Sequence, residues 1–583
     1  MKIRIPLLTQ DIQTAEKFKI KAVEGFDPDR EDFFLDGPVT KRVAVLDFDP
    51  GSGQLTPCAL FVPPARGRKR GHYRDERGKN LYDATPEEWY SPAFMSVNVF
   101  AIILHTIYLF EEKETLGREL TWAFGAPQLL VIPRAGKMSN AFYQRDSHSL
   151  QFFYNQARTA PGRTIYTCLS RDIVAHETGH AIIDGIVPDL ADNSSPQSLA
   201  LHEGLADLTA LLLAFSSNAL RRHMMKEAGG SLRYATAFSS IAEEFGLDIG
   251  HQDGLRNLCN QKNLDPNDEE NFVDNEPHEL SMVISGALYE LMFRIHEELK
   301  TELAADPEYA GRSALEISHA ALWKGAKRLK RMMYRALDYL PPGEVSFADY
   351  GRALIAVDEV AYPEAQQMRT WLKEEFVKRS IVPETGHLDT PTRYTYEPLE
   401  AYEVTTLYES DWAAYDFVNR NRALFYIPEG IPFAIRPRLR TLKQYDYDRK
   451  GVECIFKVAW DHIEANAIGS RFPSHRRVTV GTTLAIDMYT NEVLALLTSV
   501  PPVREEREAD PQEYERRLLE HRRNRLDRNE FLRSLAAQGL LKAGEAAIGP
   551  DGRPLQSVVQ AQITEGLMRT RNTTNFLHIL GGE

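Results

Sequence analysis

Residues 175–213 read AHETGHAIIDGIVPDLADNSSPQSLALHEGLADLTALLL. His176 and His180 stand four positions apart, so on a helix of 3.6 residues per turn they fall on one face. They can offer two imidazoles to one metal ion. Glu177 lies between them, too far round the helix to bind the same ion but well placed to handle a proton from its water. Glu203, on a second apolar-periodic segment, can supply a third ligand. Asp207, one turn further on, can hold the outer nitrogen of a ligand histidine. Two imidazole nitrogens, one carboxylate and an open fourth position describe a catalytic zinc site. A structural site normally fills all four positions, often with cysteine. Cys168, the cysteine near these residues, has no CxxC partner.

The rest of the chain bounds that reading. Its 583 residues suffice for several domains, and at 43% hydrophobic it can bury sizeable cores. A formal charge of −14 argues against a general nucleic-acid binder. The one dense basic stretch, residues 66–77 (RGRKRGHYRDER), is spaced by glycine and mixed with acids, and reads as a solvated loop. Cys58, Cys168, Cys259 and Cys454 are far apart and form no disulfide framework, as expected of reduced thiols in the cytoplasm. The N-terminal residues lack a secretory signal. The longest apolar run, 94–110, is broken by Ser96, Asn98, His105 and Thr106, and reads as a buried helix instead of a membrane span.

Residues 1–89 read as a β-rich segment, with strands at 42–50 and 57–64. Ser91 and Pro92 carry N-cap and N1 chemistry and open a helix. Strands at 128–133, 140–145 and 149–155 precede the histidine helix, which Ser170 or Asp172 caps. Beyond Glu203 the apolar period is helical over 280–303, 319–337 and 347–362. Strands followed by helices mean an α+β class over 90–385. A Pro-, Gly- and Thr-rich break at 380–395 leads to a smaller α+β module, 390–502. Its strands are expected at 453–460 and 477–499, with a turn near Thr490 and Asn491. Residues 503–583 read as a charged helical tail with a sparse stripe of Leu518, Leu519, Leu526 and Phe531. Residues 390–583 are the candidate surface for a partner or self-association.

Three segments resemble the thermolysin-like zinc metallopeptidases, the gluzincin group with glutamate as third ligand. The first is HETGH with HEGLAD. The second, Ser139-Asn140-Ala141-Phe142-Tyr143, is similar to the edge strand whose Asn side chain and Ala carbonyl hold a peptide substrate by strand addition. The third is NEPHELSMVISGALYEL at 275–291, where His278 precedes a helix at the spacing of the family's oxyanion-stabilising histidine. The resemblance spans roughly residues 90–380. It implies one catalytic zinc on His176, His180 and Glu203, Glu177 as general base and Asp207 as the partner of His176. It also implies His278 as a catalytic residue, Asn140 and Ala141 as substrate-binding residues, and Asp274 or Glu276 as the acid that orients His278. The implied fold is an N-terminal β-rich lobe, a central HExxH helix and a C-terminal helical lobe. The implied activity is zinc-dependent hydrolysis of internal peptide bonds in a peptide or protein substrate.

Two departures stand out. Residues 181–202 contain no tyrosine, where the family usually carries one that helps bind the oxyanion. Asp172 matches a calcium-binding carboxylate, but the matching position on the second helix is Ala214, so the paired calcium site is not expected. The competing readings are a gluzincin aminopeptidase, which lacks its GxMEN-like segment here, and a scaffold protein without turnover, for which Glu177 would have no use.

Overall fold

Ser91 caps helix α1 (Pro92–Glu111) by accepting a hydrogen bond from the Phe94 amide, with Pro92 at N1. The helix is apolar on nearly every face, and such a helix must lie inside a protein or a bilayer. Here it lies in the core. Its one buried amide is matched twice: Asn98 Oδ1 accepts from Leu8 N at 2.7 Å and Nδ2 donates to Cys168 O at 2.9 Å. Helix α1 is thereby tied to the N-terminal hairpin (Ile5–Leu8 with Val23–Phe26) and to the segment that enters the histidine helix.

The computed structural model describes residues 2–12, 15, 22–28, 33–49, 51–56, 59–65, 67, 70–158, 162–233, 240–241, 256–445, 449–503, 506, 510–543 and 559–572. Cys58, and Arg66, Arg68 and Lys69 of the basic stretch, lie outside these, as do 544–558 and 573–583 of the tail. Within the basic stretch, His72–Arg74 form a strand paired with Leu60–Val62, so part of the expected loop is sheet.

The class is α+β. A four-stranded sheet is ordered β1 (Val43–Val45), β2 (Leu129–Ile132), β4 (Ser149–Phe152) and β3 (Ala141–Gln144). The first three run parallel, and β3 folds back antiparallel at the edge. Helices α2 (Arg171–Ile186) and α3 (Pro196–Ser216) follow, then α4 (Pro277–Ala305), α5 (Ala314–Tyr339), α6 (Phe347–Ala361) and α7 (Gln366–Lys378). One hydrophobic core runs from Ile3 through the central helices and on to Tyr445, Ile455, Ala485, Leu494, Ala495 and Leu497, so residues 1–89 share it with the segment that follows and with part of the C-terminal module. Of the described helices, α1 and α3 are long and apolar enough to cross a membrane; their apolar windows are 89% and 100% buried in this protein.

Two glycines set how closely the central helices cross. A Cβ on Gly179 would stand 3.2 Å from Ala206 Cα, and one on Gly204 would stand 2.8 Å from Ile284 Cγ2. Glycine inside a helix costs about 1 kcal/mol against alanine. Here it lets α2 meet α3, and α3 meet α4, almost backbone to backbone.

The C-terminal module is built on two long antiparallel strands, β5 (Lys450–Ala465) and β6 (His475–Asp487), with β7 (Val493–Thr498) beside β6. The expected turn falls at Asn491, which adopts φ 58°. The tail does not remain apart from this module. Strands β8 (Val559–Thr564) and β9 (Leu567–Arg571) form a hairpin, and β9 joins β6. Between them in the chain, helix α8 (Pro511–Ala537) packs through Phe531, Leu532 and Leu535 onto Leu199, at the start of α3. Leu519 and Leu526 of the expected stripe face solvent instead. The inward face further up is ionic: Arg528 is buried against Glu344 and Glu464.

Candidate metal centre

Helix α2 begins as its capping chemistry requires, with Ser170 Oγ accepting from Ile173 N. That start places His176 and His180 on the face turned toward α3, which carries Glu203. The three side chains are buried, and their ligand atoms lie within 4.8 Å of one another. His176 Nε2 and His180 Nε2 are 2.9 Å apart. Glu203 stands 3.2 Å from His180 Nε2 and 3.6 Å from His176 Nε2. Donors around a tetrahedral ion with bonds of 2.0–2.1 Å are separated by about 3.3 Å. The three distances bracket that edge, so the residues present fit a small divalent cation. Two nitrogens and a carboxylate suit zinc.

The outer atoms decide which way each imidazole faces. His176 Nδ1 lies 2.9 Å from Asp207 Oδ1. A carboxylate can only accept, so the proton sits on Nδ1 and the Nε2 lone pair points into the centre. His180 is held differently. Its Nδ1 lies 2.9 Å from Nδ1 of His202, and the two rings stack with centroids 4.7 Å apart. For His180 to present its Nε2 lone pair, Nδ1 must donate, and His202 Nδ1 must accept. Burial, reinforced by His180, holds the His202 imidazole well below its usual pKa, which keeps it neutral and able to accept. His202 occupies the position just before Glu203, and the sequence reading missed it. The signal was there in HEGLAD, but two adjacent polar residues on a buried helix do not show which points where.

Electrostatics at the centre follow from burial and the imidazoles. Burial pushes the Glu203 carboxyl up, but His180, His278 and His176 together pull it well below the usual carboxylate range. Burial also pushes Glu177 up, and there His176 and His180 offset only part of the effect. Glu177 is therefore the more basic of the two carboxylates. Its Oε2 accepts from the Tyr143 amide at 3.0 Å, which sets it against the edge strand.

The pairing of β3 fixes which main-chain groups lie on its outer edge. Ala141 pairs with Phe152, and Tyr143 with Leu150. The Tyr143 amide points to Glu177 and the Ala141 amide to Asn140 Oδ1, at 2.8 Å. Both amides thus face away from β4, and in an antiparallel strand the carbonyl of such a residue faces the same way. The Ala141 carbonyl is on the outer edge. The Asn140 side-chain oxygen is spent on its own strand. Tyr143 Oη and Arg145 Nε both donate to Asp184 Oδ2, at 2.8 and 2.7 Å, and clamp β3 to α2.

His278 opens α4 with Nε2 3.8 Å from Glu203 Oε2. Its orienting acid is Glu276, whose Oε1 lies 3.0 Å from His278 Nδ1. Of the two candidate acids, Asp274 does not reach His278 in this way: its Oδ1 accepts from the neighbouring Asn275 amide. Position explains the choice. Glu276 is the N-cap of α4, with Oε2 accepting from Glu279 N, so the helix start itself aims the other oxygen at His278. Asp172 accepts from the Gln10 side chain at 2.5 Å, and Ala214 is buried.

The connector between the two ligand helices is fastened from far away. Asp189 accepts from Gly343 N and from Arg436 of the C-terminal module. Asn572 donates to Ala191 O and Asn193 O and accepts from Ser194 Oγ. No local sequence signal links these residues.

No family model and no curated protein matches this chain.

Proposed function

We propose that this chain is a zinc-dependent endopeptidase of thermolysin-like type. One observation carries the reading. A buried His176–His180–Glu203 donor set shares its surroundings with a basic carboxylate, Glu177, which also touches the outer edge of a strand. A purely structural metal site has no use for that carboxylate, and strand addition on β3 is a way to hold a peptide backbone.

Zinc bound to this donor set supplies Lewis acidity that polarises a scissile carbonyl and acidifies a water. The chain's own residues do the rest. The outer edge of β3, through the Ala141 carbonyl, holds the peptide backbone as an added strand, with Asn140 bracing that turn of chain. Glu177 accepts the attacking water's proton and delivers it to the leaving nitrogen. His278, as an imidazolium with Nδ1–H on Glu276, donates Nε2–H to the oxyanion. Asp207 and His202 keep the two imidazoles in the tautomer that presents Nε2. The unpaired Cys168, Cys259 and Cys454 suit a reducing compartment such as the cytoplasm.

The test is mass spectrometry of a complex peptide mixture after incubation with zinc-loaded protein. Internal cuts that vanish in Glu177→Gln are expected. Cuts confined to free N-termini, and abolished by acetylating them, would replace this reading with an aminopeptidase. No cuts from zinc-replete protein would favour a scaffold.

A further inference from the structure

Arg145 is the first residue beyond β3, and its guanidinium joins three elements. Nε donates to Asp184 Oδ2 at 2.7 Å and Nη2 donates to Asp184 Oδ1, a two-pronged grip on α2. Nη1 donates to Asp192 Oδ1 at 2.6 Å, a grip on the connector between the ligand helices. A guanidinium carries its N–H donors in a fixed planar fork, so one side chain can hold two carboxylates in set directions. A lysine ammonium is a point charge on a flexible stem and cannot.

The grip on α2 is strict because the Asp184 side chain is fully buried. A buried carboxylate stripped of its cation is costly, and Asp184 stands one turn beyond His180. Its other donor, Tyr143 Oη, also comes from β3. The pairing therefore fixes where β3 lies along the metal helix. Two groups of the site depend on that placement. The Tyr143 amide, two residues back from Arg145, holds Glu177, and the Ala141 carbonyl lies on the outer edge.

The grip on the connector leads to the C-terminal tail. Asp192 ends a short helix, Asp189–Asp192, and Arg145 is the one cation paired with it among the described residues. Asn572, buried at the end of the tail hairpin, donates to the carbonyls of Ala191 and Asn193. Those two residues flank Asp192. Contacts thus run without a break from Asn572 through the connector to Asp192, Arg145 and β3, and none of these residues is a metal ligand.

Building on the endopeptidase reading, we propose that Arg145 is a positioning residue for extended peptide substrates: it aligns the outer edge of β3 with the metal centre and, through Asp192, puts that alignment under the hold of the C-terminal tail. Arg145 touches no reacting atom in this role. Its effect is selective for length, because only a chain of several residues can lie along a strand edge. A substrate with a single peptide bond relies on the metal, Glu177 and His278 instead. Loosening of Asn572 weakens the binding of long peptides by the same route.

The test compares zinc-loaded, full-length wild type and Arg145→Lys on a peptide of about eight residues and on a dipeptide blocked at both ends. Hydrogen exchange over residues 140–145 is followed in parallel. Arg145→Lys keeps the charge and loses the fork. It should raise KM for the long peptide about tenfold, with kcat within about threefold, as aligning hydrogen bonds are lost. The dipeptide should lose no more than about threefold in kcat/KM, and zinc affinity should stay within about twofold. Exchange at the Tyr143 amide should rise. Asn572→Ala should raise KM for the long peptide too, and the double variant should fall short of the sum, because the two residues act along one set of contacts. Equal losses on both substrates would reduce Arg145 to a structural role and overturn the proposal. An unchanged KM for the long peptide, or full additivity with Asn572→Ala, would also overturn it. Wild type that cuts neither substrate would remove the endopeptidase reading and the substrate role with it. Unchanged exchange at Tyr143 in Arg145→Lys would remove the alignment role even in an active enzyme.

Discussion

The Nδ1 atoms of His180 and His202 lie 2.9 Å apart, which makes one histidine the orienting partner of another. His202→Ala should weaken zinc binding by about tenfold to a hundredfold, the usual cost of losing an outer partner of a metal ligand. His202→Asn, which keeps an acceptor, should recover most of it. Competition with a chromophoric chelator measures both. Equal affinity in wild type and His202→Ala would show that His180 needs no such support.

Glu177→Gln should keep zinc at full occupancy and lose roughly 100- to 10,000-fold in kcat, the range for removing a general base. His180→Ala should lose metal and turnover together. Metal analysis beside a peptide assay separates the two. Hydrolysis retained in Glu177→Gln would remove the base assignment.

Glu276 and Asp274 should behave differently despite their closeness in sequence. Glu276→Gln weakens the hold on His278 and should lower kcat with little change in KM. It should also cost about 1 kcal/mol or less of stability through the altered N-cap of α4. Asp274→Asn should leave kcat within about twofold of wild type, as substitutions off the site usually do. The reverse ranking would reinstate Asp274.

His296, buried on α4 with Nε2 donating to Ser318 O at 3.0 Å, gives a pH signature. Burial, with Lys300 adding to it, holds its pKa down from 6.5 to about 4, against smaller opposite effects of Ser318 and Glu297. The unfolded chain therefore binds more protons between these values. The contribution is fully present above pH 6.5 and is lost as pH falls through 4, in total up to about 3 kcal/mol. Urea melts of metal-free protein at pH 7, 5.5 and 4.5 should show this fall. His296→Gln should be less stable at pH 7 and should flatten the fall. An unchanged pH dependence in the variant would mean that other groups dominate.

Asn572→Ala should loosen the connector between α2 and α3. Three hydrogen bonds are lost, and the buried Ala191 carbonyl and half-buried Asn193 carbonyl lose a donor, at a cost of about 1–3 kcal/mol. Hydrogen exchange should rise over residues 187–195 more than over β5 and β6. A uniform change across the chain would indicate global destabilisation and no special tie to the metal helices.

Much of the frame was legible from local pattern. Ser91-Pro92 and Ser170 announce helix starts through hydrogen bonds made within a few residues, and α1 and α2 begin where those signals stand. The alternation at 477–499 resolved into two strands around Asn491 because turn chemistry is equally local. The stripe on α8 held only in part, for the complementary reason: Phe531 packs inward, whereas Leu519 and Leu526 do not. Leu519 and Leu526 look apolar in sequence, but burial depends on what stands opposite, and there Glu344 and Glu464 draw Arg528 inward.

The same division holds at the site. The sequence alone determined that His176 and His180 share a helix face, that Glu177 stands beside them and that Asp207 follows Glu203 by one turn, because helical periodicity is a property of the chain's own backbone. Tertiary structure alone decided that His202 supports His180, and that Asn572 and Arg436 hold the connector at 189–194. The first contact joins two helices that Gly179 lets close on one another, an approach that depends on packed volume, and the others join residues far apart in the chain; no local pattern encodes either.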